Sequence, residues 1–113
     1  MHELSLCRAI LDMVNEQTTG KNHTRVTKIT LELGQLAAVD ASALRFGFEA
    51  ITKGTIAEDA DLNIINIEGK ARCETCQKTV TLKHYYDACD ICGHFSLTVT
   101  QGEALRLKSI EVV

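Results

Sequence analysis

The sequence predicts an α+β fold: a small domain of two helices and a three-stranded sheet, interrupted by a cysteine-bearing ribbon. Three observations predict it. Apolar residues recur at helical spacing twice and in strand-like patterns three times. Between Ala71 and Thr100 the texture changes to cysteine, tyrosine and histidine with little aliphatic periodicity. The final stretch ALRLKSIEVV then returns to a strand pattern.

The first helix rests on Cys7, Ile10, Leu11 and Val14, at i, i+3, i+4 and i+7, the stripe of an amphipathic helix. It should fade near Thr18–Thr24, where Thr, Gly and Asn favour a turn. In RVTKITLELG, Thr27, Ile29, Leu31 and Leu33 alternate with Val26, Lys28, Thr30 and Glu32, which predicts a strand ending at Gly34. Asp40 reads as the N-cap of a second helix, in which Ala41, Leu44, Phe48 and Ile51 keep helical spacing and Gly54 marks the stop. A second strand follows at Leu62–Glu68. In the last strand Leu105 and Leu107 share one parity and Ile110 and Val112 the other, so a bulge is expected near Ser109. That strand should rejoin the sheet of the first part. The predicted domains are therefore 1–69 plus 102–113, with 70–101 inserted as a module whose ends lie close together.

Composition narrows the function. A chain of 113 residues with 45% apolar residues supports one ordinary core, which must be aliphatic because Trp is absent. The net charge of −3 and the lack of a basic run argue against a nucleic-acid partner. The opening MHELSLCRAILDMV lacks a basic start, and Glu3 and Asp12 break its apolar stretch, so it does not read as a signal peptide. No segment reaches membrane-span length, and a cytoplasmic protein is expected. The sequence shows no phosphate-cradling glycine loop and no nucleophile paired with a recognisable base, so an enzyme is not expected.

The five cysteines are Cys7 and the set Cys73-x2-Cys76-x12-Cys89-x2-Cys92. Two residues between thiolates let each pair chelate one tetrahedral ion from a tight turn, and the spacer suffices for a hairpin that brings the pairs together. Gly93 follows the second pair where such a turn needs positive φ. A closed four-thiolate site leaves no open position for water, so it is structural, and zinc is the preferred ion. Metal binding would supply folding free energy on the order of 10 kcal/mol. Iron in the same cage, giving an electron carrier, and a dithiol redox centre are the rivals. Cys7 lies on the apolar stripe and reads as a core residue. His23 reads as a solvated turn residue, and His84 and His94 as neighbours of the metal module, because four cysteines already fill the tetrahedron.

Met1-His2-Glu3 offers a second chemistry. The α-amine, the His2 backbone nitrogen and the imidazole can close adjacent chelate rings on one ion that prefers planar nitrogen coordination, Ni(II) or Cu(II). The fourth position could come from the Glu3 amide, its carboxylate or another donor. Such a site is open on one side and suits a protein that gives its metal away. Taken alone, a terminal histidine more often does nothing.

The MHE start on a helix, ITLELGQLAAVD leading into ALRFGFEAITKGT, the two CxxC pairs and the ending QGEALRLKSIEVV together resemble one family throughout, the HypA/HybF hydrogenase nickel-incorporation proteins. The resemblance implies His2 as nickel ligand with Met1 and Glu3 auxiliary, and structural zinc on Cys73, Cys76, Cys89 and Cys92. It implies a nickel metallochaperone for [NiFe]-hydrogenase, working with a nickel-binding GTPase and the hydrogenase large-subunit precursor. A homodimer is compatible with it, and neither nucleic acid nor membrane is an expected partner. Many members carry proline after the third zinc cysteine, where this chain has Asp90; that alters turn stiffness and not ligation. The alternative from a different class is a zinc-ribbon adaptor that binds protein or nucleic acid without nickel.

Overall fold

A computed structural model describes residues 3–22 and 24–113. The element order is α1 (Glu3–Thr18), β1 (Val26–Gly34), a 3₁₀ turn (Gln35–Ala37), α2 (Ala41–Ile51), β2 (Asp61–Ile67), β3 (Gly69–Cys73), β4 (Thr79–Leu82), β5 (Leu97–Gln101) and β6 (Leu105–Val112). The strands form two three-stranded sheets, ordered β2-β1-β6 and β4-β3-β5. The α+β class is as expected, and the last strand does pair with the first. The exposure pattern of β6 changes phase at Lys108 and Ser109, which are both exposed, so Leu105 and Leu107 lie on one parity of half-buried positions and Ile110 and Val112 on the other. The cysteine module, which carries little aliphatic periodicity, nonetheless has a sheet of its own.

The chain divides into two compact units. The first comprises Met1–Leu31, Val39–Ile64 and Leu107–Val113. Its core is built from the predicted stripe, with Cys7, Ile10, Leu11 and Val14 of α1 all buried, against Ile29 and Leu31 of β1 and Leu44 and Phe48 of α2. The two helices meet at Gly47, where an added Cβ would come within 3.2 Å of the Cys7 Sγ. The Cys7 thiol donates to the Leu44 carbonyl at 3.2 Å. Burial raises its pKa, with the Glu3 charge adding, against a backbone bond that lowers it. Cys7 is a core residue. Helix α1 ends as Thr18 and Thr19 turn their hydroxyls onto the Val14 and Asn15 carbonyls, and Gly20 follows at φ 79°.

The second unit comprises Glu32–Ala38 and Ile65–Arg106. It has two small apolar clusters. Leu36, Ala71 and Leu82 pack with Leu97 and Val99, and Cys73, Val80 and Cys89 pack with Cys76, Cys92 and Leu97. Three glycines from three segments meet at its base. A Cβ on Gly34 would collide with the Gly102 carbonyl, one on Gly69 with the Leu82 carbonyl, and one on Gly102 with the Gly69 Cα at 2.6 Å. Backbone passes against backbone here, which only glycine allows. The Gly34 and Leu36 amides donate to the Ala104 and Gly102 carbonyls at 2.8 and 2.9 Å, fixing the crossing.

Candidate metal centre

Two chain turns build the centre. The first lies between β3 and β4 and carries Cys73 and Cys76; β3 pairs antiparallel with both β4 and β5. The second lies in the connection 83–96 between β4 and β5 and carries Cys89 and Cys92. Their backbone bonding is the same twice over. The Cys73 amide donates to the Lys78 carbonyl and the Gln77 amide to the Cys73 carbonyl, both at 2.8 Å. The Cys89 amide donates to the His94 carbonyl and the Gly93 amide to the Cys89 carbonyl, again at 2.8 Å. Each turn places one left-handed residue after its second cysteine, Gln77 at φ 60° and Gly93 at φ 77°. Gly93 matches the expectation from sequence. Gln77 carried no such signal, because only the comparison of the two turns reveals its conformation.

The four sulfurs converge, all within 4.8 Å of one another. Cys73 and Cys92 Sγ are 3.5 Å apart and Cys76 and Cys89 Sγ 3.8 Å apart. A disulfide would hold them at about 2.05 Å, so these are free thiols. A tetrahedron of thiolates at about 2.3 Å from a zinc ion has edges of about 3.8 Å. The residues therefore fit a four-thiolate ion. Cys73 and Cys89 are buried and Cys76 and Cys92 half-buried, so each turn supplies one buried and one half-buried sulfur.

Electrostatics point the same way. The Cys76 N–H lowers the Cys73 pKa to about 6, with the Cys92 thiol and the Thr75 N–H helping against desolvation. Desolvation and the Cys73 thiol raise that of Cys76. The His94 N–H lowers that of Cys92, but desolvation and the three neighbouring sulfurs outweigh it and push it up to about 12. Cys73 thus forms a thiolate readily while Cys76 and Cys92, desolvated and beside the other sulfurs, resist doing so. A central dication favours the thiolate form of all four and removes that opposition.

His84 and His94 are exposed and are not among the converging ligand atoms. His84 stacks on Tyr86 at 4.8 Å and lies 3.6 Å from Asp87, whose carboxylate accepts the Lys83 and His84 amides at 3.0 Å each. His94 meets the centre only through its backbone.

The second predicted site begins at the start of α1. Met1 and His2 lie outside the described residues, as does His23. Glu3 is the first residue of α1, and its carboxylate accepts the Asp40 amide at 3.4 Å. Asp40 in turn caps α2, accepting the Ser42 and Ala43 amides at 2.9 and 3.3 Å. The N-terminal turns of both helices thus share one acidic corner. Sequence marked Asp40 as a cap but not as a neighbour of Glu3, since 37 residues separate them and only the helix packing closes that gap.

Comparison with known proteins gives this arrangement a context. The family model described as "Hydrogenase/urease nickel incorporation, metallochaperone, hypA" matches residues 1–112. The chain is 52% identical to a hydrogenase maturation factor HypA of Legionella pneumophila (strain Lens), over 99% of both chains. It is 45% identical to that of Azotobacter vinelandii with the same coverage. The solution structure of the Ni metallochaperone HypA from Helicobacter pylori superposes with a TM-score of 0.71 at 23% identity, covering 100% of this chain and 98% of that one, and shares its fold. Among the described residues no helix is long and apolar enough to cross a membrane. Converging cysteines, matched fold and full-length likeness agree: the chain belongs to the HypA family of hydrogenase/urease nickel-incorporation metallochaperones, and is a non-catalytic maturation factor rather than an enzyme.

Proposed function

We propose that this protein carries Ni(II) on its amino-terminal residues and delivers it during [NiFe]-hydrogenase maturation, with zinc held structurally by Cys73, Cys76, Cys89 and Cys92. The family match over residues 1–112, which takes in Met1-His2-Glu3, carries the reading. In it, His2 supplies the imidazole and a deprotonated backbone nitrogen, Met1 the α-amine, and Glu3 an amide or carboxylate donor. A planar donor set built on three nitrogens, with an open side, binds Ni(II) without a buried cage, so the ion can pass to an acceptor by ligand exchange. The acidic residues Glu3 and Asp40 at the helix starts support this reading, since negative charge near the start of the chain favours a cation there. The zinc assignment is supported by the sulfur spacing and by the absence of an open coordination position. The partners that fit are a nickel-supplying GTPase and the hydrogenase large-subunit precursor, and the setting is cytoplasmic.

A nickel titration tests the proposal. It compares the wild type, His2→Ala and a variant with one alanine inserted between Met1 and His2, each with the cysteine site filled and its metal quantified. Both variants should bind nickel much more weakly while keeping their fold. Acidification should release the ion, because protons compete for imidazole and amine with reference pKa values of about 6.5 and 7.7–8.0. Equal affinity in all three proteins would leave an adaptor with a structural metal. A coloured, visible-absorbing preparation would point to iron in the cysteine site.

A further inference from the structure

The two cysteine turns have matched backbones but unmatched support. In the first, the Gln77 side chain uses both ends of its amide. Its Oε1 accepts from the Arg72 guanidinium at 2.7 Å and its Nε2 donates to the Glu74 carbonyl at 2.8 Å. The Glu74 amide donates to the Ser96 carbonyl at 2.8 Å, and the Thr98 hydroxyl donates to the Glu74 carboxylate at 2.9 Å. Cys73 itself ends β3 and pairs with Leu97 of β5. The left-handed backbone at Gln77, unfavourable for a residue with a Cβ, is thus held from both sides of the turn.

The second turn has none of this. Cys89 lies in no strand, and Gly93 occupies the position equivalent to Gln77. Among the described residues, the side chains of Asp90, Ile91 and His94 make no hydrogen bond or ion pair, and Ile91 is 56% exposed. A glycine at that position adopts positive φ without strain but also leaves it freely, since its unfolded conformers are many. Sulfur burial does not distinguish the turns, because each contributes one buried and one half-buried cysteine.

We infer that Gln77 is a positioning residue that makes the first turn the anchored half of the metal site, so that ion entry and loss proceed through Cys89 and Cys92 of the second turn. The inference rests on the four-thiolate reading of the site. Loss then passes through a species in which Cys73 and Cys76 still hold the ion while the second turn has opened. Entry runs in reverse, with the first turn presenting a preformed pair of sulfurs.

The two amides that close the turns, those of Gln77 and Gly93, give a matched test because both bonds measure 2.8 Å. The protein is loaded with zinc and its stoichiometry measured first. Hydrogen–deuterium exchange at the two amides is then followed by NMR and corrected for intrinsic rates. The Gly93 amide should exchange roughly tenfold faster or more, the scale set by two side-chain hydrogen bonds. Gln77→Gly should bring position 77 up to the rate at Gly93, and Arg72→Ala, an exposed change, should bring it partway, with position 93 unmoved in both. In parallel, withdrawal of zinc with EDTA under pulsed N-ethylmaleimide should label Cys89 and Cys92 before Cys73 and Cys76. Bound zinc with equal or reversed exchange rates overturns the inference and leaves the metal site standing. A protein that binds no zinc overturns the metal reading, and the inference falls with it.

Discussion

At the scale of single residues, the cost of a side chain depends on whether backbone conformation or space is the limit, and two glycines separate the cases. Gly93 has φ 77° and open space around its Cβ direction, so alanine there meets only the conformational penalty, about 1 kcal/mol. Gly102 has φ 91° and backbone atoms 2.6–2.9 Å from the added carbon, so alanine there should cost ~3 kcal/mol or more. Guanidinium denaturation of the metal-loaded variants should show that ranking; equal losses would refute the close crossing at Gly102. Tyr85 gives a pH signature. Its pKa is raised by desolvation first, then by its hydroxyl donating to the Glu103 carboxylate at 3.1 Å and by that carboxylate's charge. A phenol with a raised folded-state pKa stabilises the fold below its unfolded value near 10, and the contribution disappears as pH climbs through the raised one. Glu103→Gln should lower the Tyr85 midpoint in a 295-nm titration, with Tyr85→Phe identifying which transition is its own. An unmoved midpoint would mean the hydroxyl does not engage Glu103 in solution.

At the scale of elements, caps and periodicity govern. Asp40 holds the first turn of α2 through two amides, so Asp40→Ala should cost about 1 kcal/mol, and Asp40→Ser much less. Thermal unfolding checks this, and an unchanged midpoint for alanine would show that helix packing alone holds the turn. The helices and the long strands were legible for the same reason that they are stable. Cys7, Ile10, Leu11 and Val14 cover one face because a core lies against it, and the i+3/i+4 spacing records that demand. Asp40 was legible because its cap is local. The strands β3, β4 and β5 were not, since the ribbon's sheet is short and its cohesion is shared with the sulfurs, which impose no period of two. The four-cysteine site could be read from spacing, whereas the bracing of Gln77 could not. Its partners Arg72 and Glu74 are ordinary polar residues whose roles appear only once the turn is folded. The meeting of Glu3 and Asp40 was hidden for a different reason, because no local rule sets how two helices cross.

At the scale of the whole molecule, two small units draw on different sources of stability. Among the described residues the second has two modest apolar clusters, one of which includes Cys73 and Cys89 and packs on Cys76 and Cys92. Serine at Cys73, Cys76, Cys89 or Cys92 should therefore lower zinc content and unfold chiefly residues within 69–102, because the ion replaces the missing core. Metal analysis with hydrogen-exchange mapping reports both effects, and full zinc stoichiometry in all four variants would contradict the ligand set. The crossing of Gly34, Gly69 and Gly102 bears on how this chain can be rebuilt. A segment whose incoming and outgoing leads touch can be exchanged with no span to bridge, provided its replacement also covers Leu36, which packs on Ala71 and Leu82. Gly69 could be joined to Gly102 through a short flexible splice, or a ribbon with a different ligand set installed between them. In either exchange the three glycines are the socket, and a residue with any side chain at Gly102 would jam it.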